Sequence, residues 1–221
     1  MAKSQIMTAL LATILAISGA VLGPAAARAQ TIVDKWTSVP APPPPELKPV
    51  TVDPKTTVLL TLDFMNQNCG KRPACVASLP AMKKLLAAAR AAKAPVIYSI
   101  IANSTTADVM PDVAPLGDEP SVLSGPDKFL NTDLAKILND KGIQTVSVSG
   151  TASNGAVLFT GAGAAFRGMN VILPVDGMSA VEPYADFSTV YTFLNALVVA
   201  QIDNDQDRYD QVLNPEIFGH R

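Results

Sequence analysis

The chain has 221 residues, with 17 Lys and Arg against 19 Asp and Glu, a formal charge of -2 and one histidine. That balance offers no basic surface for nucleic acid. The single histidine, His220, lies next to the last residue. A histidine-based triad or a multi-histidine zinc site therefore has no material to build from, and neither a metal nor a cofactor is expected.

Residues 1–29 read as a secretory signal peptide. Lys3 supplies a minimal positive start, Ile6 to Leu22 is almost wholly apolar, and Ala27-Arg28-Ala29 places small residues before a cut at Gln30. A transmembrane anchor is the alternative, although the apolar run is at or below the ~18–20 residues that a span needs. Without the leader, 15 basic and 19 acidic residues remain, a formal charge of -4. The remaining length suits one domain on the usual prior. The expected location is periplasmic or secreted, with no membrane attachment after cleavage.

Residues 30–55 carry seven prolines between Pro40 and Pro54. Proline locks φ and removes a backbone donor, so this stretch is expected to be an extended, polyproline-like arm. Trp36, the only tryptophan, lies in it. It either packs the arm onto its own domain or a neighbouring subunit, or serves as a free recognition motif.

Residues 56–221 are read as one domain. Thr57 to Phe64 is a nearly continuous apolar run that contains one acidic residue, the pattern of a strand buried on both faces, and it delivers Asp63 to the strand's carboxyl end. Cys69 and Cys75, six positions apart in NCGKRPAC, can close a small disulfide loop in an oxidising compartment. Cys69 as a nucleophile is the alternative, and it needs a nearby base or helix N-terminus to favour the thiolate.

Pro80 to Lys93 has Met82, Leu85, Leu86 and Ala89 at helical spacing, and Pro95 to Ile101 reads as a second buried strand. Residues 102–126 are expected to form a long loop, and loops of that length are often functional. Asn131 to Lys141 reads as a helix that Asn131 or Thr132 caps and Gly142 ends. Thr145 to Ala180 reads as a βαβ unit: a buried strand, a small-residue turn at Gly150 to Gly155, a helix through Arg167, a stop at Gly168 and a second buried strand. Tyr184 to Ala200 is the last long helix expected, with Phe187, Tyr191, Leu194 and Val198 on one face; the tail after Gln201 has no clear pattern. Strands alternating with helices predict a three-layer α/β/α fold around a mostly parallel, Rossmann-like sheet.

Common ligand motifs are missing. There is no phosphate loop, and Gly161 and Gly163 lie inside the predicted helix instead of opening it, where they let the helix sit close on the sheet. The remaining candidates are Asp63, Lys128 and the turn from Gly150 to Ala156. Taken singly, an aspartate ending a strand is often a cap or ion-pair partner, and Lys128 reads as a solvated charge. Together with their spacing from the glycine turn they do not look independent, and that turn lies at the carboxyl end of a parallel strand, where helix N-termini and free N–H groups converge.

Four segments, taken in order, resemble the isochorismatase-like hydrolases, whose cysteine-bearing members include nicotinamidases and other amidases. Leu60 to Asn66 resembles the family's first-strand motif, where the aspartate is catalytic. Pro126 to Phe129, with Thr132 and Leu134, is similar to the catalytic-lysine segment. Val148 to Ser153 is similar to the strand-four signature, and Ala165 to Met169, with Asp176 and Ser179, to the helix end and strand that follow. The resemblance spans Val52 to Val190 and implies Asp63 and Lys128 as catalytic residues. It also implies an oxyanion hole of backbone N–H groups around Ala152 and Ala156 beside a cis peptide, substrate contacts from Asn66, Ser153 and Asn154, and a homo-oligomer.

One position departs from the pattern. Cysteine members carry the nucleophile seven residues into the motif that opens at Gly150, and here that residue is Ala156. The metal histidines of nicotinamidases are also missing. The resemblance therefore implies a small-molecule hydrolase working through Asp63 and Lys128 with water, since named isochorismatases also lack the cysteine. A non-catalytic relative that binds a ligand or a partner subunit is the second reading. Ser153 as a substitute nucleophile lacks a histidine to activate it.

Overall fold

The computed structural model describes residues 30–47 and 49–195. The leader, the tail and Val198 lie outside the described residues. The chain divides between Pro42 and Pro43 into two units.

In the first unit, helix α1 (Ile32–Lys35) and a 3₁₀ turn (Trp36–Ser38) replace the extended start expected for the arm. The first proline is Pro40, so nothing before it forbids a helical turn. The Asp34 carboxylate accepts from the Thr31 N–H and hydroxyl at 2.8 and 3.1 Å, which closes the first turn. Trp36 is 66% exposed.

Among the described residues the second unit is built on six parallel strands: β1 (Thr57–Leu62), β2 (Val96–Ile100), β3 (Ser121–Leu123), β4 (Thr145–Thr151), β5 (Asn170–Ile172) and β6 (Met178–Ser179). The order is β3-β2-β1-β4-β5, with β6 also on β4. The chain adds strands in one direction from β1 and then returns to its other side, so a topological switch point lies between β1 and β4.

Alternation along the two central strands separates two cores. Val58, Leu60, Leu62, Val146 and Val148 face one layer, shared with helices α3 (Leu134–Asp140), α4 (Leu158–Ala165) and α5 (Pro183–Asn195). Leu59 faces the other, where helix α2 (Pro73–Ala91) contributes Leu79, Met82, Leu85, Leu86 and Ala89. The three-layer α/β/α reading holds.

Several boundaries differ from expectation. Helix α2 starts at Pro73, where proline suits the first turn, and runs through Pro80. The bond that Pro80 cannot make would have gone to Val76, which is 42% exposed and can turn its carbonyl to water. Cys69 and Cys75 are disulfide-bonded and fully buried, which ties the preceding loop to this helix. A cross-link closing so short a loop contributes about 2 kcal/mol in the loop-entropy treatment.

The long loop at 102–126 contains β3, a three-residue strand recruited by pairing with Tyr98, Ser99 and Ile100. It is pinned where Arg90 bonds both carboxylate oxygens of Glu119, at 2.8 and 2.7 Å. The second strand expected after α4 is divided into β5 and β6 by a 3₁₀ turn at Val175–Gly177. Helix α3 begins at Leu134, whose N–H donates to the Thr132 hydroxyl at 3.2 Å, while Asn131 takes a left-handed φ of 57°.

Helix α5 buries Thr189, Val190 and Phe193; of the expected stripe Leu194 packs against the core and Tyr191 is 45% exposed. Gly161 makes room for Phe193. A Cβ there would lie 2.5 Å from Cζ of Phe193, so the glycine in α4 makes the seat for that ring.

Candidate active site

Two strand ends define the site. Leu62 of β1 pairs with Gly150 of β4, so Asp63 and Thr151 are the next residues out, on either side of the switch point. A Cβ at Gly150 would lie 2.4 Å from the Leu62 carbonyl oxygen, so only glycine lets the two strand ends close together. Asp63 has a φ of 57°, which turns the chain out of the strand.

Lys128 comes to Asp63 from 65 residues away. Its ammonium donates to Asp63 Oδ1 and Oδ2 at 2.9 and 2.7 Å, and to the Gly125 carbonyl at 2.7 Å. The Lys128 side chain is 0% exposed and that of Asp63 is 9% exposed. The aspartate thus keeps a small accessible face while the lysine has none. Ser99 on β2 donates its hydroxyl to Asp63 Oδ1 at 2.6 Å and accepts the Asp63 N–H at 3.2 Å. The Lys128 N–H goes to the Thr160 hydroxyl at 3.2 Å. A buried pair is tolerated only when hydrogen bonds satisfy both ions, and these do.

Beyond Thr151 the backbone passes through a cis peptide at Thr151-Ala152 and a single π-helical turn, Ser153–Val157, before α4. Ala156 is buried in that turn at 4% exposure. Ser153 is fully buried, and its hydroxyl donates to the Asp186 carboxylate on α5. Burial holds the Asp186 carboxyl above its ordinary range, opposed by that bond from Ser153. Asn66 and Asn154 are exposed. The structure therefore brings Asp63 and Lys128 into contact and places the cis peptide on the neighbouring strand end.

Sequence reasoning missed Ser99, Arg72 and Asp186. Ser99 carried a signal, a polar residue inside the apolar run PVIYSII. Arg72 and Asp186 carried none, because their partners Thr151 and Ser153 lie 79 and 33 residues away. Among the described residues no group of His, Cys, Asp and Glu could hold a metal ion. No helix among them is long and apolar enough to cross a membrane.

Parallel strands between helical layers, with a carboxylate and an ammonium buried at the switch point, define a three-layer α/β fold with its polar centre at the sheet's carboxyl rim. The chain belongs to the isochorismatase-like hydrolase family: the family model described as "Isochorismatase domain" matches residues 57–206.

Solved structures agree on the fold. A cysteine hydrolase from Pseudomonas syringae pv. phaseolicola is 22% identical with a TM-score of 0.60, over 67% of this chain and 89% of that one. An isochorismatase family protein from Burkholderia thailandensis is 19% identical with a TM-score of 0.60, over 76% and 96%. The nicotinamidase from Staphylococcus aureus is 14% identical with a TM-score of 0.59, over 64% and 93%. At these identities the likeness is one of fold. No curated protein matches the chain.

Proposed function

We propose that the chain is an exported hydrolase of a small molecule, in which Asp63 transfers the proton, Lys128 holds its carboxylate in place, and water is the nucleophile. The observation that carries this reading is the buried Asp63–Lys128 pair at the switch point, with one small face of Asp63 left accessible.

Ala156 stands at the position where, by resemblance, cysteine members of the family carry their nucleophile. A methyl group cannot attack a carbonyl, so a covalent acyl intermediate has no anchor here. Backbone N–H groups around Ala152 and Ala156 need no side chain to stabilise a developing oxyanion. Asn66 and Asn154 are assigned to substrate contact. Ser153, with its hydroxyl committed to Asp186, is assigned to holding the turn.

The second reading, a non-catalytic member that binds a ligand or a partner subunit, is favoured by Ala156 alone. A hydrolysis screen of amides, esters and vinyl ethers separates the two. Asp63-dependent turnover supports the enzyme, whereas saturable binding without any turnover supports the binder. Ala156→Cys is expected to gain amidase activity if the turn keeps the geometry of the cysteine members, and a variant as inactive on amides as the parent would show that it does not.

Export and assembly into a homo-oligomer belong to the same reading. Export is supported by the leader pattern and the disulfide. N-terminal sequencing of protein from the cell envelope or medium should start at Gln30; an intact Met1 there would reject the cleavage. Light scattering of the mature protein tests assembly, and a monomer mass would reject it.

A further inference from the structure

Lys128 has no donor left for a ligand. An ammonium carries three N–H groups, and these go to the two Asp63 oxygens and the Gly125 carbonyl. Residues 102–126, expected to form a long loop, contain neither lysine nor arginine. The Asp63–Lys128 pair is also neutral as a unit. Any positive charge offered to a ligand at this rim must come from elsewhere.

Arg72 supplies one. Its Nη1 donates to the Thr151 hydroxyl at 3.2 Å, at the strand end beside Asp63 and next to the cis peptide. A guanidinium has five N–H donors, and this bond occupies one. Among the described residues no carboxylate pairs with Arg72.

The backbone at Arg72 is held as well. Arg72 lies between Cys69 and Cys75, whose disulfide is fully buried; its N–H bonds the Cys69 carbonyl at 2.9 Å, and Pro73 follows it at the start of α2. A guanidinium on a backbone held in this way can meet a carboxylate through two parallel bonds. Lys128 enters the rim from the layer that contains Phe129, and Arg72 from the opposite layer that contains both cysteines.

Resting on the hydrolase reading above, we propose that Arg72 is the ligand-orienting cation of this site and that the small molecule it receives carries a carboxylate. The disulfide loop is then the scaffold that presents the guanidinium to the rim.

The test uses acid and amide pairs of one skeleton: benzoate with benzamide, salicylate with salicylamide, and succinate with succinamide. Binding to the mature protein is followed by saturation-transfer NMR and calorimetry at low and high salt. At least one acid should bind wild type about tenfold more tightly than its amide, with the preference falling at high salt. Arg72→Gln should erase that preference and Arg72→Lys restore part of it, with melting temperature and free-thiol count reporting the fold and the disulfide in both.

Equal binding of acid and amide by wild type, no binding of any acid, or a preference that persists in Arg72→Gln would each overturn the inference. Selection of acids through Arg72 with no hydrolysis of any substrate would overturn the hydrolase reading alone. Asp63-dependent hydrolysis of neutral substrates that ignores Arg72→Gln would overturn this one alone.

Discussion

Asp63→Asn is expected to lower turnover by about 10²–10⁴-fold, the range typical of losing a positioned proton-transfer group. Asparagine has nearly the same shape and keeps one acceptor oxygen for the Ser99 hydroxyl or the Lys128 ammonium, which bond Asp63 at 2.6 to 2.9 Å. What it lacks is a carboxyl that can give up or take a proton. Near-ultraviolet circular dichroism should report an intact tertiary environment, so the loss would be chemical and not structural. Asp63→Glu is the stricter control, because it restores the carboxyl on a longer stem at a position whose φ is 57°. Turnover of Asp63→Asn equal to wild type would remove Asp63 from the mechanism.

The second large effect is on stability, and it is asymmetric. Removing one partner of a buried ion pair costs about 3–5 kcal/mol, because the other charge is left unpaired away from water. Here the two survivors differ. Lys128→Met leaves a carboxylate whose side chain is 9% exposed, whereas Asp63→Ala leaves an ammonium that is 0% exposed. Water can reach the first and not the second, so Asp63→Ala should be the more destabilising in urea unfolding. The double variant should cost less than the sum of the two, since no charge then remains in the cavity, and the shortfall is the coupling between them. Additive losses would show that the two groups do not depend on each other in the folded protein.

Part of this site was legible from local pattern. The apolar run TVLLTL can only be a strand covered on both faces, which is why Asp63 was placed at its end before any partner was known. Gly142 and Gly168, with φ of 65° and 77°, end their helices as expected, because a left-handed residue at that point is most readily a glycine. Cys69 and Cys75 were close enough in sequence for one bridge to be the simplest outcome. Helix α2 was misread at Pro80, because proline is a local stop signal and the packing of Cys75 and Leu79 overrides it. Strand β3 was missed because three residues carry no periodicity, and its ladder belongs to β2.

The sequence by itself determined the layers and the strand end that carries Asp63, because those follow from periodicity and chain connectivity over short spans; Lys128 was singled out through the resemblance to the family. Only the tertiary structure decided which groups serve them. Ser99, Thr151 and Asp186 act through bonds between residues that chain order does not pair, and the direction of a side chain at a strand end depends on the neighbour across the sheet. Burial, too, is a property of the assembled layers, and it turned a lysine that reads as a surface charge into the most enclosed cation at the rim.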